Sequence, residues 1–321
     1  MELEEFLNDW HSDNPRMLVH TSGSTGEPKP LWVEKRRMEA SARITCRFLG
    51  LQRGDTALLC LPMDYIAGKM MAVRAEVWGL RLVCVKPNGR PLQELESPPD
   101  FAAMVPLQVY NSLQTADERA TLRAIKHLII GGGAIDDALV KELRTFPNAV
   151  YSTYGMTETL SHIALRRLSG DDVSEWYTPF EGVSVSLTAD GCLAIDAPAV
   201  CPTPLTTNDL AELHDGRFRI VGRKDNTVCS GGIKIQIEKA EQLLMPHLDV
   251  PFALTKRPDQ RLGEALILVA EPTDEVRLRD ICRQALPRLW QPQAIVFVEK
   301  IPLTTSGKRA RKQLELIAAQ S

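Results

Sequence analysis

Metal-ligand spacing is missing from this chain. Its seven cysteines (Cys46, Cys60, Cys84, Cys192, Cys201, Cys229 and Cys282) stand singly with no CxxC pair, and its six histidines form neither HxxxH nor HExxH. Odd, dispersed thiols read as reduced residues of a cytoplasmic protein, not as zinc ligands or a disulfide framework. His20 reads as a strand-end residue. Also absent is any apolar run near the roughly 20 residues that span a bilayer, so no membrane insertion is expected. Positive charge is not in surplus: 38 Lys and Arg face 41 Asp and Glu, a formal net charge of -3. That excludes the basic footprint of a nucleic-acid binder, and short clusters such as Lys35-Arg36-Arg37 read as solvated helix faces. The opening Met1-Glu2-Leu3-Glu4-Glu5 is acidic where a secretory or transit leader would be basic.

What is present suits a mid-sized enzyme. A length of 321 residues suggests about two domains, and 44% hydrophobic residues can bury sizeable cores. Short apolar runs at 17–19, 56–61, 82–85, 101–105 and 128–130 read as strands. Between them, Met38, Ala42, Thr45 and Leu49 recur at helical spacing, 66–78 reads as a helix with Met70, Val73 and Val77 on one face, and 136–145 as another. Strands alternating with helices of this length indicate βαβ units and a parallel sheet, with ligands beyond the carboxyl ends of the strands. From about 183 the pattern changes to short strands (183–187, 192–195, 218–221) that suggest a small antiparallel β unit. The remainder reads as α+β: strands near 234, at 265–270 and 295–298, and helices at 238–244, 275–286 and from 308. The expected fold is therefore α/β, with a large N-terminal domain at 1–222, a hinge at 223–226 and a small mobile C-terminal domain at 227–321.

The segment TSGSTGEPK offers the first chemistry. Thr21, Ser22, Gly23, Ser24, Thr25, Gly26 and Lys29 put four hydroxyls, two glycines and a cation within nine residues. Glycine lets successive N–H groups converge on one anion, and the hydroxyls add donors, so the loop suits phosphate. It is not a Walker loop, because prolines flank Lys29 where a Lys-Ser/Thr pair would open a helix. Gly/Ser/Thr clusters are also ordinary hairpin tips, and that alternative stays open.

Three more stretches follow in order: YGMTET (Tyr154 to Thr159), GRKDN with SGGIKI (Gly222 to Ile235), and PLTTSGK (Pro302 to Lys308). With TSGSTGEPK they resemble the motifs of the adenylate-forming superfamily of acyl- and aryl-CoA synthetases, adenylation domains and luciferases. The resemblance runs from about Arg16 to Arg311. It departs at the front, where family members carry a substantial subdomain before the phosphate loop and this chain has about twenty residues.

The resemblance implies a two-step reaction. A carboxylate attacks the α-phosphorus of ATP and releases pyrophosphate, and coenzyme A then takes the acyl group. For the first step a protein mainly positions the partners and supplies N–H donors and positive charge. On this resemblance the phosphate loop with Lys29 holds the β- and γ-phosphates, while Gly132, Gly133 and Ala134 pass beside adenine. Ser152, Thr153, Tyr154, Gly155, Met156 and Thr157 line the adenine and α-phosphate region. Glu158 is the expected ligand of Mg²⁺, which typically needs only one or two protein carboxylates. Asp209 matches the acidic ribose ligand, although Asn208 stands where the family more often has glycine. Arg223 matches a ribose or phosphate contact and Asp225 the hinge pivot, with an exposed salt bridge on a turn as the alternative for both. Lys308 is the expected adenylation lysine, and Ser230, Gly231 and Gly232 replace it in the CoA step when the small domain turns.

The acid is approached through LPMDYIAGKMMAVR (Leu61 to Arg74), which lines up with the family's acyl-pocket segment. Tyr65 stands where an aromatic or histidine guards the pocket. Arg74 lies on a helix otherwise lined by Met and Val, and a guanidinium there wants an anionic partner that it can grip with two N–H groups. One alternative is a buried ion pair with Glu76 or another acid. The other is a second carboxylate on the substrate, an arrangement that resembles the o-succinylbenzoate–CoA ligases of menaquinone synthesis. The expected partners are thus ATP, CoA and a small carboxylic acid, with a homodimer as the assembly to test. Rival readings are another aryl or short-chain acid–CoA ligase, an adenylation-only module that loads a carrier protein, and a degenerate nucleotide-binding regulator. Retention of Lys29, Glu158, Asp209 and Lys308 together argues against the last.

Overall fold

The computed structural model describes residues 2–20, 29–133, 135–304 and 309–320. Two compact units are present. One comprises Met1–Ser186, Ala194–Leu205 and Leu213–Arg219, and the other Leu187–Leu193, Thr206–Glu212 and Ile220–Ser321.

The first unit opens with helix α1 (Leu3–His11) and the antiparallel hairpin β1 (Arg16–His20) and β2 (Pro30–Glu34), paired from Arg16↔Glu34 to His20↔Pro30. Here the pattern misled. The strand expected at 17–19 exists, but it belongs to a two-stranded sheet and is not part of the parallel one. A short apolar run reads the same in either setting. The phosphate-loop segment therefore connects two hairpin strands.

The main layer follows as α2 (Lys35–Leu49), β3 (Thr56–Leu59), α3 (Ile66–Trp78), β4 (Arg81–Cys84), β5 (Phe101–Met104), α4 (Pro106–Ser112), α5 (Ala116–Ala124), β6 (His127–Ile130), α6 (Asp137–Arg144), β7 (Ala149–Gly155), β8 (His162–Arg167) and β9 (Thr178–Pro179). Its seven strands run in the order β4-β3-β5-β6-β7-β8-β9. The first five are parallel, and β8 and β9 add an antiparallel edge. Helix α2 buries Met38, Ser41, Ala42, Thr45, Cys46 and Leu49 on one stripe and stops at Gly50, whose φ of 67° is the left-handed conformation glycine takes most easily. Helix α3 is different. Every residue from Gly68 to Ala75 is buried, Lys69 and Arg74 included, so it is a core helix with charged side chains inside.

Strands β10 (Ser184–Leu187), β11 (Cys192–Asp196), β12 (Leu205–His214) and β13 (Arg217–Arg223) form a sheet in that order. The longest of them, β12, has no period-two apolar signal, and its Thr-Thr-Asn-Asp run looks like a turn in sequence. The second unit continues with β14 (Thr227–Ser230), β15 (Ile233–Gln236), α7 (Ile237–Leu244), β16 (Phe252–Asp259), β17 (Gly263–Ala270), α8 (Glu275–Ala285), β18 (Ala294–Phe297) and α9 (Arg311–Ala319). Its sheet runs β15-β14-β17-β16, with β18 parallel to β17. Val228, Ile235, Leu244, Leu254, Leu266, Leu268 and Leu278 pack between this sheet and its helices.

Candidate active site

In the first unit, parallel pairing sets Ile130 opposite Ser152, so the chain leaving β6 passes beside the end of β7. The approach is close. A Cβ on Gly131 would lie 2.3 Å from Thr153 Oγ1, and Gly132 has a φ of 79°, so both positions need glycine. At the carboxyl end of the parallel strands Gly131 thus abuts Thr153, Gly132 passes Val105 and Gly133 passes Pro106, while Ala134 lies outside the described residues. Tyr154 packs edge-on to Phe218 with centroids 5.0 Å apart and tilts against Tyr177 at 5.8 Å. Ser152 is buried, with its hydroxyl 2.7 Å from the Tyr177 hydroxyl, so that side chain serves the packing beneath the strand end.

After β7 the chain turns sharply. A Cβ on Gly155 would fall 2.2 Å from the Ser161 carbonyl oxygen and 2.4 Å from His162 Cα, which leaves no room for a side chain. Thr157–Thr159 form one turn of 3-10 helix, with Thr157 buried and Glu158 exposed. Thr159 closes the turn by donating its hydroxyl to the Ser161 carbonyl at 2.7 Å. Leu160 completes it at a φ of 65°, a strained value for a residue with a branched side chain.

Beneath this turn lies Arg74. It is 2% exposed, and its Nη2 donates to Ser161 Oγ at 2.7 Å, while its Nε is buried without a hydrogen-bond partner among the described residues. The ion pair with Glu76 that the sequence allowed is not formed, because Glu76 faces His11 at 3.1 Å. Burial lowers the guanidinium's pKa to about 10, so Arg74 is still a cation at neutral pH. Its immediate polar neighbours are neutral: Ser161, whose Oγ is 3.1 Å from His162 Nδ1, and beyond it His162, whose Nε2 is 3.1 Å from Thr45 Oγ1. Burial, and then the Arg74 charge, push His162 well below its ordinary pKa, so it is neutral. Tyr65 precedes α3 and is half-buried.

In the second unit, Arg223 at the end of β13 donates from Nη1 to Asp209 Oδ1 at 2.8 Å and from Nη2 to Asp225 Oδ2 at 3.1 Å. Asn208 also donates to Asp225, at 3.1 Å. Burial alone would lower the Arg223 pKa, but the Asp209 and Asp225 carboxylates raise it on balance. The salt bridge foreseen as the plain alternative for Arg223 and Asp225 is thus present, and it takes in Asp209 as well. Thr207 orients the strand by donating to the Leu193 carbonyl and accepting the Asp209 N–H, at 2.9 and 3.1 Å. Ser230 ends β14, and Gly231 and Gly232, with φ of 56° and 83°, form the two-residue turn into β15. Positive φ at both central positions is the hairpin turn that favours Gly-Gly.

One cluster escaped sequence reading. Glu241 of α7 is buried, accepts Arg309 Nη1 and Arg311 Nη2 at 2.5 and 2.7 Å, and takes the Leu254 N–H at 2.8 Å. Leu303 pairs with Arg309 across the ends of the segment that carries Lys308. The arginines looked like a solubilising run, and nothing in their spacing pointed 70 residues back. The Ser161–His162–Thr45 cluster was equally hidden, because isolated polar residues in apolar elements carry no pairing signal. Lys29 is exposed at the end of the hairpin connection. Thr21, Ser22, Gly23, Ser24, Thr25, Gly26 and Lys308 lie outside the described residues.

Among the described residues no three His, Cys, Asp or Glu side chains are grouped to hold a metal. The exposed carboxylate of Glu158 fits a magnesium ion that takes one protein oxygen and completes its shell with substrate phosphates and water.

The AMP-binding enzyme family matches residues 4–188, and the AMP-binding enzyme C-terminal domain matches residues 239–308. The chain belongs to the AMP-binding enzymes. More particularly, it is 25% identical over 337 residues to the 2-succinylbenzoate–CoA ligase of Bacillus licheniformis, covering 95% of this chain and 70% of that protein. A solved acyl-CoA synthetase (AMP-forming)/AMP-acid ligase II-like protein from Dyadobacter fermentans is 33% identical, with a TM-score of 0.66 and coverage of 96% of this chain and 91% of that one. The o-succinylbenzoate coenzyme A synthetase of Bacillus subtilis, solved with ATP and magnesium ion, shares the fold with a TM-score of 0.77 at 22% identity, covering 92% of this chain and 69% of that one.

Proposed function

We propose that this AMP-binding enzyme is an AMP-forming acid–CoA ligase whose acid is 2-succinylbenzoate. The single observation that carries the substrate is Arg74, a buried guanidinium whose Nε is unsatisfied and whose described partner, Ser161, is neutral. An uncompensated buried charge is costly, and a substrate carboxylate would supply both the counter-charge and the missing acceptor. The ring carboxylate of 2-succinylbenzoate is such a group, and the similarity to 2-succinylbenzoate–CoA ligases supports the choice.

In this reading the glycines at 131–133 give adenine a side-chain-free wall, and Met156 and Thr157 face the α-phosphate. Asp209 accepts the ribose hydroxyls, and Arg223 supports it. Glu158 would hold Mg²⁺, which neutralises phosphate charge when bound. Lys29 and the hydroxyls of TSGSTGEPK grip the outer phosphates. Lys308 supplies positive charge where the succinyl carboxylate meets the α-phosphorus. After pyrophosphate leaves, a turn about Asp225 at the boundary 223–226 exchanges Lys308 for the Ser230-Gly231-Gly232 hairpin, and the CoA thiol takes the acyl group. The cytoplasm is where ATP, CoA and reduced thiols coexist, and a homodimer is open to test by sedimentation.

Pyrophosphate release from ATP, measured with a panel of acids with and without CoA, tests the proposal. Release should require 2-succinylbenzoate among the acids tried, and a CoA thioester should form only when CoA is added. Preference for a monocarboxylate would remove the substrate, and adenylate formation without thioester would point to a carrier-loading module.

A further inference from the structure

We propose that Thr45, His162 and Ser161 form a proton-ordered relay that positions Arg74 without neutralising it, which makes His162 a positioning residue for acid specificity. This rests on the reading of Arg74 as the site of the substrate's second carboxylate.

The order of protons follows from the two ends of the chain. Thr45 donates its hydroxyl to the Ser41 carbonyl at 3.1 Å, and a carbonyl can only accept. Thr45 Oγ1 has then spent its proton, so the 3.1 Å contact with His162 Nε2 must be an N–H donated by the ring. His162 is enclosed and stands near the Arg74 cation, so it carries one proton only. Its Nδ1 is therefore bare and accepts the Ser161 hydroxyl at 3.1 Å. Ser161 is left with lone pairs alone on the side facing Arg74, which donates to it at 2.7 Å.

The consequence is electrostatic. An aspartate in place of Ser161 would hold the guanidinium equally well but would cancel its charge. A hydroxyl whose proton is committed elsewhere orients the planar fork and leaves the positive charge uncancelled and Nε without an acceptor among the described residues. The packing leaves little slack. Ser161 is fixed through its carbonyl by Thr159, its backbone abuts Gly155, and the His162 ring packs on Phe180 with centroids 5.5 Å apart.

The test uses the full-length enzyme, 2-succinylbenzoate and an analogue lacking the ring carboxylate. His162→Phe keeps a ring but removes the acceptor, which frees the Ser161 proton to compete with Arg74. Losing one neutral hydrogen bond corresponds to roughly fivefold, so KM for the dicarboxylate should rise by about that factor. KM for the analogue should stay near wild type. His162→Gln, whose amide can accept from Ser161 and donate to Thr45, should restore most of the loss, and Thr45→Val should weaken the dicarboxylate in the same sense. Equal losses for both acids, or losses that track a falling melting temperature in all three variants, would overturn the relay. Arg74→Ala run alongside separates the two levels. If it is selective for the dicarboxylate while His162→Phe is not, the relay fails and the Arg74 reading stands; if Arg74→Ala penalises both acids alike, both fail.

Discussion

Arg223 Nη1 donates to Asp209 Oδ1 at 2.8 Å, which ties the acid proposed for the ribose to the arginine that also holds the proposed pivot Asp225. The bridge carries a prediction for nucleotide binding. Arg223→Ala would remove one charge-assisted hydrogen bond from Asp209, a contact worth about 1.5–3 kcal/mol. KM for ATP should rise by about tenfold or more in a pyrophosphate-release assay, and Arg223→Lys should recover part of it. An unchanged KM with a lower melting temperature would make the bridge structural only.

Asp225→Pro tests the pivot. Proline fixes φ near -65° and would restrict a residue that must take two backbone conformations. Adenylate formation should survive while CoA transfer drops about tenfold. Equal rates in both steps would move the pivot elsewhere.

Lys308→Ala separates the half-reactions from the other side. Removing one transition-state donor typically costs roughly 10²–10³-fold. That loss should fall on adenylate formation, and thioester formation from supplied acyl-adenylate should stay near normal. Equal loss in both steps would assign the lysine a structural role.

Glu241 predicts a stability effect instead. It is buried against Arg309 and Arg311, and deleting one member of such a cluster leaves uncompensated charge at about 3–5 kcal/mol. Glu241→Ala should lose stability of that order in chemical denaturation of the intact chain. A loss below about 1 kcal/mol would mean that solvent already screens the cluster.

The legible parts of the fold were those with repeating signals. Helix α3 was readable at its observed bounds because an apolar stretch ends at Gly79, which caps it with a φ of 73°. The parallel core was readable from alternation, and the family from four motifs in order. Strand β12 was not, because its Thr-Thr-Asn-Asp run reads as a turn and only pairing between β11 and β13 makes it a strand. The sheet membership of β1 was invisible because a short apolar run reads alike in a hairpin and in a parallel core. At the site, glycines that permit close approach could be suspected from sequence, but only the folded chain shows that Gly155 abuts Ser161 and that Glu76 pairs with His11 and not with Arg74. Pairings of single polar side chains over such distances leave no local pattern.

The most direct measurement is the ratio of kcat/KM for 2-succinylbenzoate to that for the analogue without the ring carboxylate, compared between wild type and Arg74→Ala. Loss of charge-assisted hydrogen bonds worth about 1.5–3 kcal/mol should lower the dicarboxylate value by at least about tenfold and leave the analogue nearly unchanged. Arg74→Lys should regain only part, because a point charge cannot copy the planar fork. An equal drop for both acids, with the melting temperature falling alongside, would contradict the claim that Arg74 selects a second carboxylate.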